Sequence, residues 1–188
     1  MSTRIVALVG SLRSGSHNRQ LAEAAVKLAP GGVEVVIQDE IAELPFYNED
    51  IDVEGKVPAV AATLRETANS ADAFLLFSPE YNGTIPAVLK NAIDWYSRPY
   101  GGGAFTGKPV AVVGTAYGQF GGVWAQDDAR KAVGIAGGSV LEEVKLSVPG
   151  SVVRFAETHP VDDEEVAQQL VAVLTELAKA ATAEPQAA

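Results

Sequence analysis

Residues 10–18, Gly-Ser-Leu-Arg-Ser-Gly-Ser-His-Asn, follow a β-branched run and open an alanine-rich periodic stretch. A helix starting there presents unpaired N–H groups and a partial positive charge, which suits a phosphate. Ser11, Ser16 and Asn18 add side-chain donors, and Arg13 adds a cation. The alternative is a plain turn with Ser16 as the helix cap, and on these residues alone the two readings stand level. Two other phosphate motifs fail on spacing: there is no Gly-Lys-Ser/Thr and no Gly-x-Gly-x-x-Gly. Asp39 stands where a dinucleotide fold would carry its ribose-binding acid, but it reads better as a solvated loop residue.

A second loop, Ser78-Pro79-Glu80-Tyr81-Asn82-Gly83-Thr84-Ile85-Pro86, packs two prolines, a glycine and an aromatic into a short span. Such a loop suggests a rigid edge of exposed backbone amides, suited to a flat heteroaromatic ring with carbonyls and ring nitrogens. An ordinary turn is the alternative, and spacing does not dismiss it. A third loop, Thr115-Ala116-Tyr117-Gly118-Gln119-Phe120-Gly121, carries a glycine at 118 that would permit close approach.

The elements that must hold these loops alternate regularly. Apolar β-branched runs at 4–9, 33–37, 73–77, 109–114 and 139–146 read as strands. Periodic stretches at 16–28, 58–70, 85–97, 123–135 and 162–181 read as helices. Between them lie a long polar loop at 38–55 and a triple-glycine surface connection at 98–108. Five strands alternating with about five helices predict a doubly wound parallel sheet, and the order 2-1-3-4-5 fits best. Ligands of such sheets sit beyond the carboxyl ends of the strands, where the three loops converge.

Composition narrows the functions. The 188 residues suit one domain over 1–183, with a frayed tail at 184–188. A formal charge of −10 with no basic stripe makes nucleic acid and anionic membrane surfaces poor partners. The absence of cysteine excludes disulfides, thiolate catalysis and Cys-ligated metals. No segment is long and apolar enough to cross a membrane, and the short run at 5–9 leaves no room for a signal peptide, so the cytoplasm is the expected location. The acids at 39, 40, 43, 49, 50 and 52 match no calcium-loop spacing and read as a solvated face, so no metal is expected. The same loop holds an apolar knot, residues 44–48, which could wall a pocket or meet a second subunit.

Taken in order, GSLRSGSHNRQLA, SPEYNGTIPAVLKNAIDWYSRP and GKPVAVVGTAYGQFGG resemble the NADPH-dependent FMN reductases, a family that includes bacterial reductases of quinones, chromate and azo dyes. The resemblance spans roughly residues 4–145. It implies a flavodoxin-like three-layer α/β sandwich with a five-stranded parallel sheet. It places Ser11, Arg13, Ser16 and Asn18 on the FMN phosphate, and Pro79, Glu80, Tyr81, Asn82 and Gly83 along the isoalloxazine edge through main-chain groups. Thr115, Gly118 and Gln119 fall in the third flavin-contacting loop. His17 departs from many relatives and reads as a partly exposed loop residue.

The resemblance also implies NADPH or NADH as co-substrate and ping-pong transfer to a small acceptor: a quinone, azo or nitro compound, chromate or flavin. Flavin N5 then carries the chemistry and no protein acid or base is required. The rival expectation is a flavodoxin-type electron carrier without nicotinamide turnover. In the helix after the second loop, Ile85, Leu89, Ile93 and Tyr96 form one apolar stripe and Val88, Ala92 and Trp95 a second. One stripe covers the sheet, so the other predicts a homodimer through this helix. The resemblance points the same way, with a homotetramer as the larger possibility.

Overall fold

A computed structural model describes residues 2–183 of the chain, so the tail expected at 184–188 lies outside the described residues. The strands are β1 (Thr3–Val9), β2 (Val33–Gln38), β3 (Ala73–Phe77), β4 (Pro109–Thr115) and β5 (Ser139–Val148). The helices are α1 (His17–Leu28), α2 (Ala59–Asn69), α3 (Ala87–Tyr96), α4 (Val123–Ile135), the short α5 (Ser151–Arg154) and α6 (Glu164–Thr182). All strand pairs are parallel, in the order β2-β1-β3-β4-β5. This is the flavodoxin-like sandwich expected from the sequence.

The near-continuous apolar strands are explained by a sheet covered on both faces. On one face Ile5, Ala7, Leu75, Phe77 and Val113 meet Leu21 and Ala25 of α1 and Leu170, Leu174 and Leu177 of α6. On the other, Val6, Leu8, Phe74, Leu76 and Val112 meet Leu64 of α2, Leu89 and Ile93 of α3, and Val133 of α4. β5 is an edge strand, and its Glu142, Glu143 and Lys145 are exposed, which discourages further strand pairing. Side-chain caps set two helix starts: Ser16 Oγ accepts from the Arg19 N–H, and Asp163 Oδ1 from that of Val166.

Three expectations change. The connection at 98–108 is not simply a surface excursion, because Phe105 is fully buried against Phe74 and Tyr96. The polar loop at 38–55 is a strap with two 3-10 turns (Asp39–Glu43 and Glu49–Ile51) and buried anchors Ile41 and Leu44. Finally, the second stripe of α3 is covered within the chain. Trp95 is fully buried, packs edge-on against Tyr47 and lies under the Arg65 guanidinium, and its indole N–H donates to Pro45 O at 2.8 Å. That stripe therefore leaves no surplus apolar face for a partner.

Candidate active site

The loops after β1, β3 and β4 leave the sheet side by side, around the point where the strand order reverses. Their backbones approach too closely for side chains. A Cβ on Gly114 would lie 2.2 Å from Ser78 O and 3.2 Å from Asn18 Oδ1. On Gly10 it would lie 3.2 Å from both Leu89 and Pro79. Neither glycine was singled out from the sequence, since nothing local marks a close approach between loops distant in the chain.

In the first loop, the amides of residues 11–15 and of His17 and Asn18 find no acceptor among the described residues. Ser16 is buried, and its capping Oγ keeps a hydrogen for another acceptor. Arg13 is exposed and donates only to Ser14 O at 3.1 Å, with no carboxylate partner among the described residues. His17 is the first residue of α1, not a loop residue, and packs edge-on against Phe155. Its pKa is lowered by burial first and then by the charge of Arg13.

Asn18, expected as a side-chain phosphate donor, has another engagement. Its Nδ2 donates to Thr115 O at 2.8 Å and its Oδ1 accepts from the Thr115 N–H at 3.0 Å. The side chain thus acts as a buried peptide-like clamp from α1 to the end of β4, leaving one Nδ2 hydrogen and the backbone N–H without an acceptor. Asp39 is not merely solvated, because it pairs with Arg19, whose pKa rises through that hydrogen bond. A small concavity of about 300 Å³ lies between these residues, lined by Ser11, Arg13, Ser14, Arg19 and Gln38 among others.

In the second loop Pro79 is buried, and Tyr81 and Thr84 exchange backbone hydrogen bonds at 3.1 and 3.2 Å. The two residues between them have positive φ, 54° at Asn82 and 76° at Gly83, as a primed turn demands. Asn-Gly is thus required by the turn, independently of any ligand. The amides of Glu80, Asn82 and Gly83 have no acceptor among the described residues. The Glu80 carboxylate is bonded to the start of α4.

In the third loop Thr115 is buried, and its hydroxyl donates to Val148 O at 2.8 Å. Residues 117–120 are exposed, Gln119 included, and their amides lack acceptors among the described residues. Gly118 has no positive φ, and a Cβ there would meet nothing within 4 Å, so the chain itself supplies no reason for glycine. Gly121 does need to be glycine, with φ 63° and a Cβ position 2.7 Å from Ser147 C. Phe120 and Trp124, exposed and 5.7 Å apart, form an aromatic pair beside this loop that the sequence reading missed.

The donor set suits an anionic flavin nucleotide. Neutral amides, the Ser11 and Ser16 hydroxyls and Arg13 at a helix start fit a phosphate monoester. The free amides of the other two loops offer edges for a flat ring with several acceptors.

The family model for NADPH-dependent FMN reductase matches residues 3–152. The chain belongs to the NADPH-dependent FMN reductase family. A quinone reductase of Pseudomonas putida is 38% identical over 160 residues, covering 85% of each chain. An NAD(P)H-dependent FMN reductase of Pseudomonas aeruginosa is 38% identical over 174 residues, covering 90% of this chain and 92% of the relative. Among solved structures, FerB, a flavoenzyme NAD(P)H:(acceptor) oxidoreductase from Paracoccus denitrificans, superposes with a TM-score of 0.84 at 32% identity, over 95% of this chain and 97% of its own. Members of the family are oxidoreductases with FMN as cofactor and a reduced nicotinamide as co-substrate, and this chain is one of them.

Proposed function

We propose that this enzyme reduces quinone-type acceptors by a ping-pong cycle, with FMN held across the loops at 11–18, 79–83 and 115–119. The observation that carries the site is the convergence of acceptor-free amides from three loops, which scaffold contacts hold in register at Asn18–Thr115 and Gly114–Ser78. The acceptor class follows from relatives of which two are named quinone reductase and acceptor oxidoreductase.

Bound FMN supplies the hydride acceptor and the electron store. The chain binds and orients. Ser11, Arg13, Ser16 and the amides at the start of α1 hold the phosphate, offsetting a chain charge of −10. The Asn82–Gly83 turn and the Glu80 amide would line the ring edge, where their fixed N–H donors would stabilise negative charge on the ring. Gly118 and Gln119, both exposed in the third loop, would border the same site. No side chain serves as acid or base.

The enzyme works as a homodimer in the cytoplasm, with a tetramer as the larger assembly. A groove of about 860 Å³ between α3 and α4, lined by Ile85, Ile93, Tyr100, Lys131 and Ile135 among others, is the surface for the second copy. Ile135 and Tyr100 are 80% and 93% exposed there, more apolar surface than water favours. No described helix is long and apolar enough to cross a membrane.

The test is anaerobic mixing of FMN-loaded protein with NADPH, following the flavin band near about 450 nm. Bleaching by NADPH and recovery on adding a quinone support the cycle. A yellow protein indifferent to NADPH and NADH, or one that takes up no FMN, overturns it. Light scattering at micromolar concentration tests the assembly, and a monomer would refute it.

A further inference from the structure

Glu80 joins two of the three loops by a bond that the FMN contacts do not account for. Helix α4 begins after Gly122, which has φ 85° and offers no side chain to cap it. The first N–H groups of a helix need outside partners. Two of them are met from the loop after β3: Glu80 Oε2 accepts from the Trp124 N–H at 3.1 Å and from the Ala125 N–H at 3.2 Å. The same loop is fastened to α4 one turn further on, where Thr84 Oγ1 donates to Asp128 Oδ2 at 2.6 Å. A Cβ on Gly122 would sit 3.6 Å from that of Glu80, so the end of the third loop packs directly against residue 80.

We propose that Glu80 is a positioning residue for the flavin: its carboxylate clamps the loop at 78–84 to the N-terminus of α4 and so fixes the gap between the second and third loops. The assignment rests on the reading that FMN lies between those loops. A carboxylate suits the task because charge-assisted bonds to N–H groups are roughly twice as strong as neutral ones and because the positive end of α4 stabilises it. The peptide N–H of Glu80 remains free for the ring edge while its side chain holds the loop in place. With the clamp removed, the Asn82–Gly83 turn keeps its own hydrogen bonds but is no longer held to α4 at residue 80. The expected consequence is weaker flavin binding without loss of the fold.

The experiment uses the full chain and two variants, Glu80→Ala and Glu80→Gln. It reads backbone amide exchange at Trp124 and Ala125 in the flavin-free protein, and FMN affinity from the quenching of FMN fluorescence. In Glu80→Ala both amides exchange faster and FMN affinity falls by about tenfold, the equivalent of losing one good cap. Glu80→Gln keeps an acceptor oxygen and restores affinity to within about threefold of the parent. Unchanged exchange in Glu80→Ala would overturn the clamp. Faster exchange with parental FMN affinity would reduce Glu80 to a helix cap and overturn the positioning role. Equal losses in both variants would also overturn it, because the acceptor oxygen would not be what matters. Failure of the parent itself to bind FMN would overturn the underlying reading and this assignment with it, and would be seen before any variant is made.

Discussion

Two regions beyond the sheet are built on different plans. In the strap at 38–55, side chains of α2, α3 and residue 98 anchor the loop. The Asn91 side chain accepts from the Tyr47 N–H at 2.9 Å and donates to Leu44 O and Pro45 O at 3.3 and 3.0 Å. Arg65 grips Asp52 with two bonds of 2.6 and 2.8 Å, and Arg98 donates to the Tyr47 hydroxyl at 2.8 Å. In the cradle formed by the loops after β1, β3 and β4, side chains such as Asn18 and Glu80 engage the scaffold, while a run of backbone amides has no acceptor among the described residues. The open amides of the cradle gather at the carboxyl ends of three adjacent strands, where a ligand of such a sheet sits, whereas the strap is tied down by side chains of α2 and α3. Substitutions in the two regions should therefore separate stability from binding.

The largest effect is expected where the loops cross. Gly114→Ala would force a Cβ to within 2.2 Å of Ser78 O, backbone against backbone, where no rotamer offers relief. The cost should be about 3 kcal/mol or more, read as a fall in the urea midpoint with loss of FMN uptake. A parental midpoint would mean that the loops have slack. Next comes Asn18→Leu, which leaves the buried N–H and C=O of Thr115 without their partner. About 2–3 kcal/mol should be lost, with FMN affinity falling as well because α1 and β4 are no longer tied. Lost stability with intact affinity would place this clamp outside the site.

The sequence announced the sheet because each central strand is covered on both faces, so its apolar run is local and unambiguous. The loop positions followed from the strand ends, and the family motifs supplied the cofactor. What the sequence hid depends on contacts between distant residues. Asn18 meets Thr115 across 97 positions, Glu80 meets Trp124 across 44, and Asn91 meets Leu44 across 47. No periodicity encodes such pairs, so the scaffold bonds of the Asn18 and Glu80 side chains were not legible in the sequence. The strap acids at 39, 40, 43, 49 and 50 are exposed, as a solvated face requires, but Asp52 gave no sign of having a guanidinium partner 13 residues on. Trp95 misled in the opposite direction: a stripe that called for a partner subunit was covered by the same chain.

The strap offers the complementary test. Asn91→Ala removes three of the four side-chain hydrogen bonds that hold residues 44–47 to α3, the Trp95 indole bond to Pro45 O remaining. Water reaches part of this surface, so the loss should be about 1–2 kcal/mol. FMN affinity should stay within about twofold of the parent, since no cradle residue contacts Asn91 through those bonds. A marked fall in affinity would make the strap part of the flavin site and dissolve the contrast between the two regions.

The smallest effect is the dependence of the strap on pH. The hydrogen bonds from Arg65 hold the Asp52 carboxyl below its ordinary pKa, against the opposing push of burial. A carboxyl whose pKa is lower folded than unfolded adds stability that is fully present above the unfolded value of about 3.9. That contribution is lost as pH falls through the folded value, when the proton neutralises the partner of Arg65. Asp52→Asn should therefore cost no more than about 1 kcal/mol at pH 7, and the gap between the two urea midpoints should narrow as pH drops from about 5 towards 3. A gap that holds constant over that range would mean that packing of the side chain, rather than its charge, ties the strap at Asp52. Because this pair lies in the strap, FMN affinity at neutral pH should not follow the substitution.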